Sequence, residues 1–170
     1  MQSRQYKYVG PAELKQRLRR ESHCIHVSSI ADLISWTASF LPFSRTRGSV
    51  PATFIIDLNE QLWIADRHSE HVACADGQNV LAAGEVILER HDTQILVAEV
   101  TNQSTGYCPE PECWDTITRV LDRLEISRPP FLTAAFEFRR CAQCGTTNLI
   151  KENIFECAVC DAPLSHTWNY

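Results

Sequence analysis

Apolar residues change their spacing twice along this chain, and each change marks a switch between helical and extended structure. Leu14 and Leu18, four apart among charged residues after Gly10-Pro11, predict an amphipathic helix over 11–21 with proline in its first turn. Residues 24–27 read as a short strand. Ser29, with Asp32 three positions on, predicts the start of a helix running through Leu33, Ile34, Trp36 and Ala38 toward Phe40, and 42–51 then read as a loop. From Ala52 the period shortens. Stretches 53–58 and 62–65 predict a hairpin across Asn59-Glu60, and 85–89 with 94–100 predict a second across His91-Asp92. Residues 68–84 fit neither period. Ile117, Val120, Leu121 and Leu124 restore helical spacing after Pro109 and Pro111, until Arg128-Pro129-Pro130 stops it. A last strand is expected over 131–138. Together these elements predict an α+β fold, an antiparallel sheet with two or three flanking helices.

Four cysteines beyond that strand add a separate unit. Cys141, Cys144, Cys157 and Cys160 form a C-x2-C-x12-C-x2-C array, the spacing of one tetrahedral zinc site on two knuckles. Gly145 and Asp161 directly follow the second cysteine of each knuckle, where a positive φ is often needed. Thiolates in all four positions leave no place for a water molecule, so the expected role of Zn2+ is structural. The chain thus divides into an N-terminal helical segment (1–50), an α+β core (51–138) and a zinc ribbon (139–170). The tail from His166 to Tyr170 is expected to dock back on the ribbon, because tryptophan and tyrosine bury a large area.

Composition narrows the function. With 44% hydrophobic and 22% charged residues, the chain has enough apolar surface for a core. It lacks both a signal-like apolar stretch near Met1 and a run long enough to span a bilayer, and the expected compartment is the reducing cytosol. Over 24–138 seven Lys and Arg face sixteen Asp and Glu, and from 139 onward the balance is three to three. An acidic core and a neutral ribbon disfavour nucleic-acid binding, which calls for a basic face. The basic residues from Lys15 to Arg20 read as the solvated face of the first helix.

Polar residues gather in three places in the middle of the chain. These are Arg67-His68-Ser69-Glu70-His71, then Ala82-Ala83-Gly84-Glu85, then 102–109, which ends a strand and opens a helix. A strand-to-helix turn of this kind suits a binding site, and the same residues also serve as caps and turns. His68-Ser69, Ala82-Ala83-Gly84-Glu85 and Asn102-x-Ser104-x-x-Tyr107-x-Pro109 together resemble a bacterial module that also occurs in plant calmodulin-binding proteins of the IQ-motif class. Thr105-Gly106 stands where that module has Gly-His, so no role of its histidine carries over. The resemblance spans roughly 52–126 and implies a shared fold rather than a chemistry. The ribbon is similar to the tail of a bacterial subfamily of the module.

The expected function is that of an accessory or regulatory protein binding a protein partner or a small ligand. His68, Glu70, Glu85, Asn102, Ser104 and Tyr107 form its working surface, and His68, Glu70 and Tyr107 are also the candidate catalytic groups. The alternative is a zinc-dependent deaminase, in which His68-Ser69-Glu70 supplies a ligand and a proton shuttle and Cys108 and Cys113 complete the metal site. The C-x4-C spacing and the absence of proline before Cys108 depart from that pattern. His68, His71 and Cys74 would share a helical face as a second metal site, with a polar loop and one buried thiol as the plainer reading. A cysteine nucleophile at Cys24 or Cys74, or ADP-ribosyl transfer using His68, Tyr107 and an acidic residue, has weaker support in the spacing.

Overall fold

The structure, a computed structural model, describes residues 3–16, 24–41 and 47–170. Helix α1 (Ala12–Gln16), strand β1 (Ile25–Val27) and helix α2 (Ile30–Ala38) come first. The rest of the helix expected over 11–21, with Arg17, Arg19 and Arg20, lies outside the described residues. α2 starts as its sequence dictates. The Asp32 carboxylate accepts the amides of Ser28 and Ser29 at 2.8 and 2.9 Å and both seryl hydroxyls. Those bonds, the Ser28 hydroxyl foremost, hold its carboxyl below the usual range.

Four more strands, β2 (Arg47–Ile56), β3 (Leu62–Asp66), β4 (Ala82–His91) and β5 (Gln94–Val100), join β1 in an antiparallel sheet of order β1-β3-β2-β4-β5. Both expected hairpins form, and Glu60 and Asp92 take the positive φ that their tight turns require. β2 begins earlier than expected, because Arg47 to Pro51 pair with β4 instead of forming a loop. β3 pairs only from Ala52 onward, so Pro51 sits where β2 has a neighbour on one side and its missing N–H costs little.

Alternation sorts the sheet into two faces. One face turns Phe54, Ile56, Ile64, Val86 and Leu88 toward Leu33 of α2 and toward Ile117 and Leu121 of helix α4 (Trp114–Arg123), leaving a void of only about 20 Å3. A 3-10 turn, Pro111–Cys113, leads into α4. Thr53, Ala83 and Glu85 point to the other face, where the four-residue helix α3 (His71–Cys74) packs against β2 and β3.

The strand expected over 131–138 is mostly not one. Residues before Glu137 cross the end of the sheet, where the Thr133 hydroxyl and amide bond to Val100 in place of a continuous ladder. Regular pairing resumes only in β6 (Glu137–Arg140) with β7 (Thr147–Ile150), the hairpin of the C-terminal ribbon.

Cys24 and Cys74 form a disulfide that ties the start of β1 to the end of α3. The expected free buried thiol at Cys74 is therefore half of a cross-link. It closes a loop of 50 residues in sequence, and loop-closure entropy for that length is about 4 kcal/mol. Replacing both cysteines by serine is expected to lower the unfolding free energy by about 2–4 kcal/mol, read from urea midpoints. Identical midpoints would show that the bond does not constrain the unfolded chain. Among the described residues, no helix is long and apolar enough to cross a membrane.

Candidate metal centre and polar hollow

The four ribbon cysteines are the only His, Cys, Asp or Glu group among the described residues placed to share a metal ion, with all Sγ atoms within 4.8 Å of one another. Cys141 to Cys160 and Cys144 to Cys157 are each 3.6 Å apart. The tetrahedron made by four sulfurs about 2.3 Å from zinc has edges of about 3.8 Å. Each knuckle turns as its sequence requires. Gly145 at φ +76° and Asp161 at φ +57° place their amides to donate to the Cys141 and Cys157 carbonyls at 2.9 and 3.0 Å. Asn148 orients the second knuckle, donating toward the Cys157 sulfur at 3.6 Å and accepting from the Ala158 amide at 3.0 Å. The cluster can hold a metal ion.

The tail docks on the ribbon, where His166 meets Phe155 at 4.1 Å, and on the core as well. The Trp168 indole donates to the Cys108 carbonyl at 2.8 Å and meets Tyr6 edge-on at 5.6 Å. Asn169 turns back to the ribbon, pairing with both backbone groups of Arg140. Sequence reasoning missed a buried ion pair that links the ribbon to the core. Arg139 of β6 is buried, and its guanidinium donates at 2.7 Å to Glu110, which precedes the 3-10 turn. The only sequence signal for it was an alternating strand that places an arginine next to buried Phe138.

On the far face of the sheet the three polar groups of the sequence meet. His68, Ser69, Glu70 and His71 line a hollow of about 220 Å3 together with Thr53, Glu85 and Ser104. Thr53 and Glu85 are a cross-strand pair of β2 and β4 and lie at its base. His68 is exposed, and its Nδ1 lies 2.8 Å from Asp66, which also accepts the His68 amide. The amide bond is the main reason that the Asp66 carboxyl lies below the usual range. His71 differs from His68. Its Nε2 donates to the Gly84 carbonyl at 2.9 Å, and burial holds it below the ordinary histidine value, so its neutral form carries the proton on Nε2. Gly84 itself is required. A Cβ there would collide with the Thr101 carbonyl oxygen, where the chain leaving β5 crosses β4. The Ser104 hydroxyl is buried without a hydrogen-bond partner among the described residues, a position that generally costs about 1–3 kcal/mol.

Asn102 and Tyr107 do not line the hollow. Asn102 is fully buried and makes three bonds, to the Pro109 carbonyl and to both backbone groups of Phe136. It therefore clamps the crossing segment to the loop. Tyr107 is buried edge-on against Tyr8, its hydroxyl donates to the Gln78 carbonyl at 2.8 Å, and burial raises its pKa. These two residues shape the site from behind, and His68 with a tyrosine this buried forms no ADP-ribosyl-transfer pair.

The deaminase arrangement is not assembled. His68 opens onto the hollow, whereas Cys113 lines a separate cavity near the ribbon. Burial pushes Cys108 up to about 11 and Cys113 up to about 12, and the Cys108 thiol donates to the Thr105 carbonyl. Among the described residues, neither cysteine belongs to a group of side chains placed to share a metal ion. Nor do His68, His71 and Cys74 form a ligand set, since His71 is bonded to Gly84 and Cys74 to Cys24. The same disulfide removes Cys24 and Cys74 as free nucleophiles. No family model, curated protein or solved structure matches this chain, so the cysteine cluster and the hollow stand on their own geometry.

Proposed function

We propose that this protein is an accessory module that engages a protein partner through the polar hollow, with structural zinc holding its C-terminal ribbon. One observation carries the reading. Residues from three separated polar motifs, the His68–His71 run, Glu85 and Ser104, converge on one concave surface although nothing in the fold needs the exposed ones there. Size favours a partner over a whole metabolite. A hollow of about 220 Å3 is smaller than the roughly 300–1,000 Å3 of small-molecule sites and suits a single inserted polar side chain. Glu70 and Glu85 outnumber Arg67 on the lining and, with the neutral His71, favour a donor-rich group, such as a lysine or arginine from the partner. The resemblance of the His-Ser, Ala-Ala-Gly-Glu and Asn-x-Ser motifs to the bacterial module fits this assignment, since those motifs build the hollow and its backing. Zinc is the metal of choice because four thiolates at this spacing match its radius and tetrahedral preference.

The test uses the tagged full chain expressed in its own organism, with His68→Ala, Glu70→Gln and Glu85→Gln combined. All three side chains are exposed, so metal content and stability are expected to stay unchanged. A partner captured by the parent protein and depleted about tenfold or more with the triple variant supports the proposal, a change worth about 1.4 kcal/mol. The same captured set, at the same yield, with both proteins would overturn it.

A further inference from the structure

A larger cavity, about 730 Å3, opens where the ribbon meets the core and lies apart from the polar hollow. Its volume falls within the range of metabolite sites. One wall is the ring of Trp168, held in place by its bond to the Cys108 carbonyl and by Tyr6. Over that ring, 5.1 Å from its centre, sits the guanidinium of Arg4. Arg4 is exposed and forms no ion pair among the described residues, so the aromatic face is what holds it.

Carboxylates line the same cavity. Glu110, only 8% exposed, accepts from Arg139 with one oxygen, while its other oxygen has no hydrogen-bond partner among the described residues. Glu112 and Asp115, on the turn that opens α4, are exposed and form no ion pair among the described residues. The other two charged side chains of the wall are already matched, Arg119 with Glu60 and Glu137 with Arg139. A helix N-terminus by itself attracts anions, with about half a positive charge. Glu112 and Asp115 bring two negative charges to the same turn and reverse its sign. Without Arg4, the wall carries two guanidinium groups against four carboxylates.

The geometry points to a binding site for a small organic cation, a guanidinium or primary ammonium compound, that stacks on Trp168 and donates to Glu110, Glu112 and Asp115. Arg4 is the internal surrogate that such a ligand displaces. An aromatic face with carboxylates at its rim is the chemistry that recognises these groups.

Agmatine, which carries both groups, is the probe, titrated calorimetrically into the metal-loaded full chain. Arg4→Gln is expected to bind it about fivefold more tightly than the parent protein, because a cation–π contact worth about 1 kcal/mol no longer competes. Glu112→Gln combined with Asp115→Asn is expected to weaken binding at least about threefold, as the loss of two exposed ion pairs would. Succinate, a small dianion, is expected not to bind. Absence of agmatine binding at millimolar concentration in both the parent protein and Arg4→Gln overturns the proposal. So does equal affinity in the parent protein and the acid-depleted variant, which would mark non-specific association. The substituted residues are all exposed and none lines the polar hollow, so either result leaves the partner-binding reading untouched.

Discussion

Replacing Cys157 by serine is expected to abolish metal binding by the cysteine cluster and unfold the ribbon as a unit while the five-stranded sheet stays folded. Few apolar groups hold the ribbon. Its buried cluster is Cys141, Cys157, Ala162 and Leu164, with Ile150, Phe155 and Cys160 partly buried around it. Two of those four buried residues, Cys141 and Cys157, belong to the four-thiolate cluster. Metal binding to such a site supplies roughly 10–16 kcal/mol, far beyond what Ala162 and Leu164 contribute at about 1.5–3 kcal/mol for a fully buried large side chain. Elemental analysis should fall from about one metal ion per chain, the capacity of four thiolates, to a small fraction. Amide exchange should lose protection at Asn148 and Leu164 but not in β2 or β4. Chelation of the parent protein should reproduce both changes. Cys108→Ala is the control. A variant of Cys157 that keeps stoichiometric metal would show that the cluster is not the site, and metal loss from Cys108→Ala would reopen the deaminase arrangement.

The second large effect is expected at the ribbon–core junction. Arg139→Ala should cost about 3–5 kcal/mol, because it leaves Glu110 buried without its counter-ion. Side-chain exposures of 4% for Arg139 and 11% for Glu110 place this pair in the regime where losing one partner is more costly than losing both. Arg139→Met combined with Glu110→Leu should therefore recover much of the loss, giving a strong coupling in a double-mutant cycle. The dependence on pH follows from the Glu110 carboxyl. Burial raises it, and the Arg139 hydrogen bond opposes that rise. Without Arg139 the rise is larger, so the folded variant takes up a proton at a pH where the unfolded chain, near 4.5, does not. Its stability deficit should shrink as pH falls from neutral toward 4.5 and should be largest at neutral pH. Denaturant midpoints at several pH values read this directly. A deficit that does not change with pH would mean that Glu110 is not the residue left uncompensated.

These two sites differ in how far the sequence disclosed them. The cysteine cluster was legible because its determinants are local. A knuckle needs two thiolates two residues apart and a residue that tolerates positive φ after the second, and Gly145 and Asp161 both do so. The Asp32 cap of α2 and the Glu60 turn were legible for the same reason. The polar centre was legible only in part. Its motifs do converge, but the same residue types serve two ends. His68, Glu70 and Glu85 stay exposed, whereas Asn102 and Tyr107 are spent on the backbone of Phe136, Pro109 and Gln78. No local pattern separates an asparagine that meets a ligand from one that clamps a crossing chain.

By itself, the sequence determined the α+β class, the two hairpins, the capped helix and the four-thiolate spacing, all of which follow from backbone preferences within a few residues. Only the tertiary structure decided which cysteines pair across 50 residues and that Arg139 is buried on Glu110. It also placed Trp168 and Arg4 together over an acidic cavity. Each of these depends on which surfaces exclude water from one another. Desolvation is a property of the assembled chain, and residues 29, 50 or 164 positions apart, as in these three cases, carry no mark of it in their own neighbourhoods.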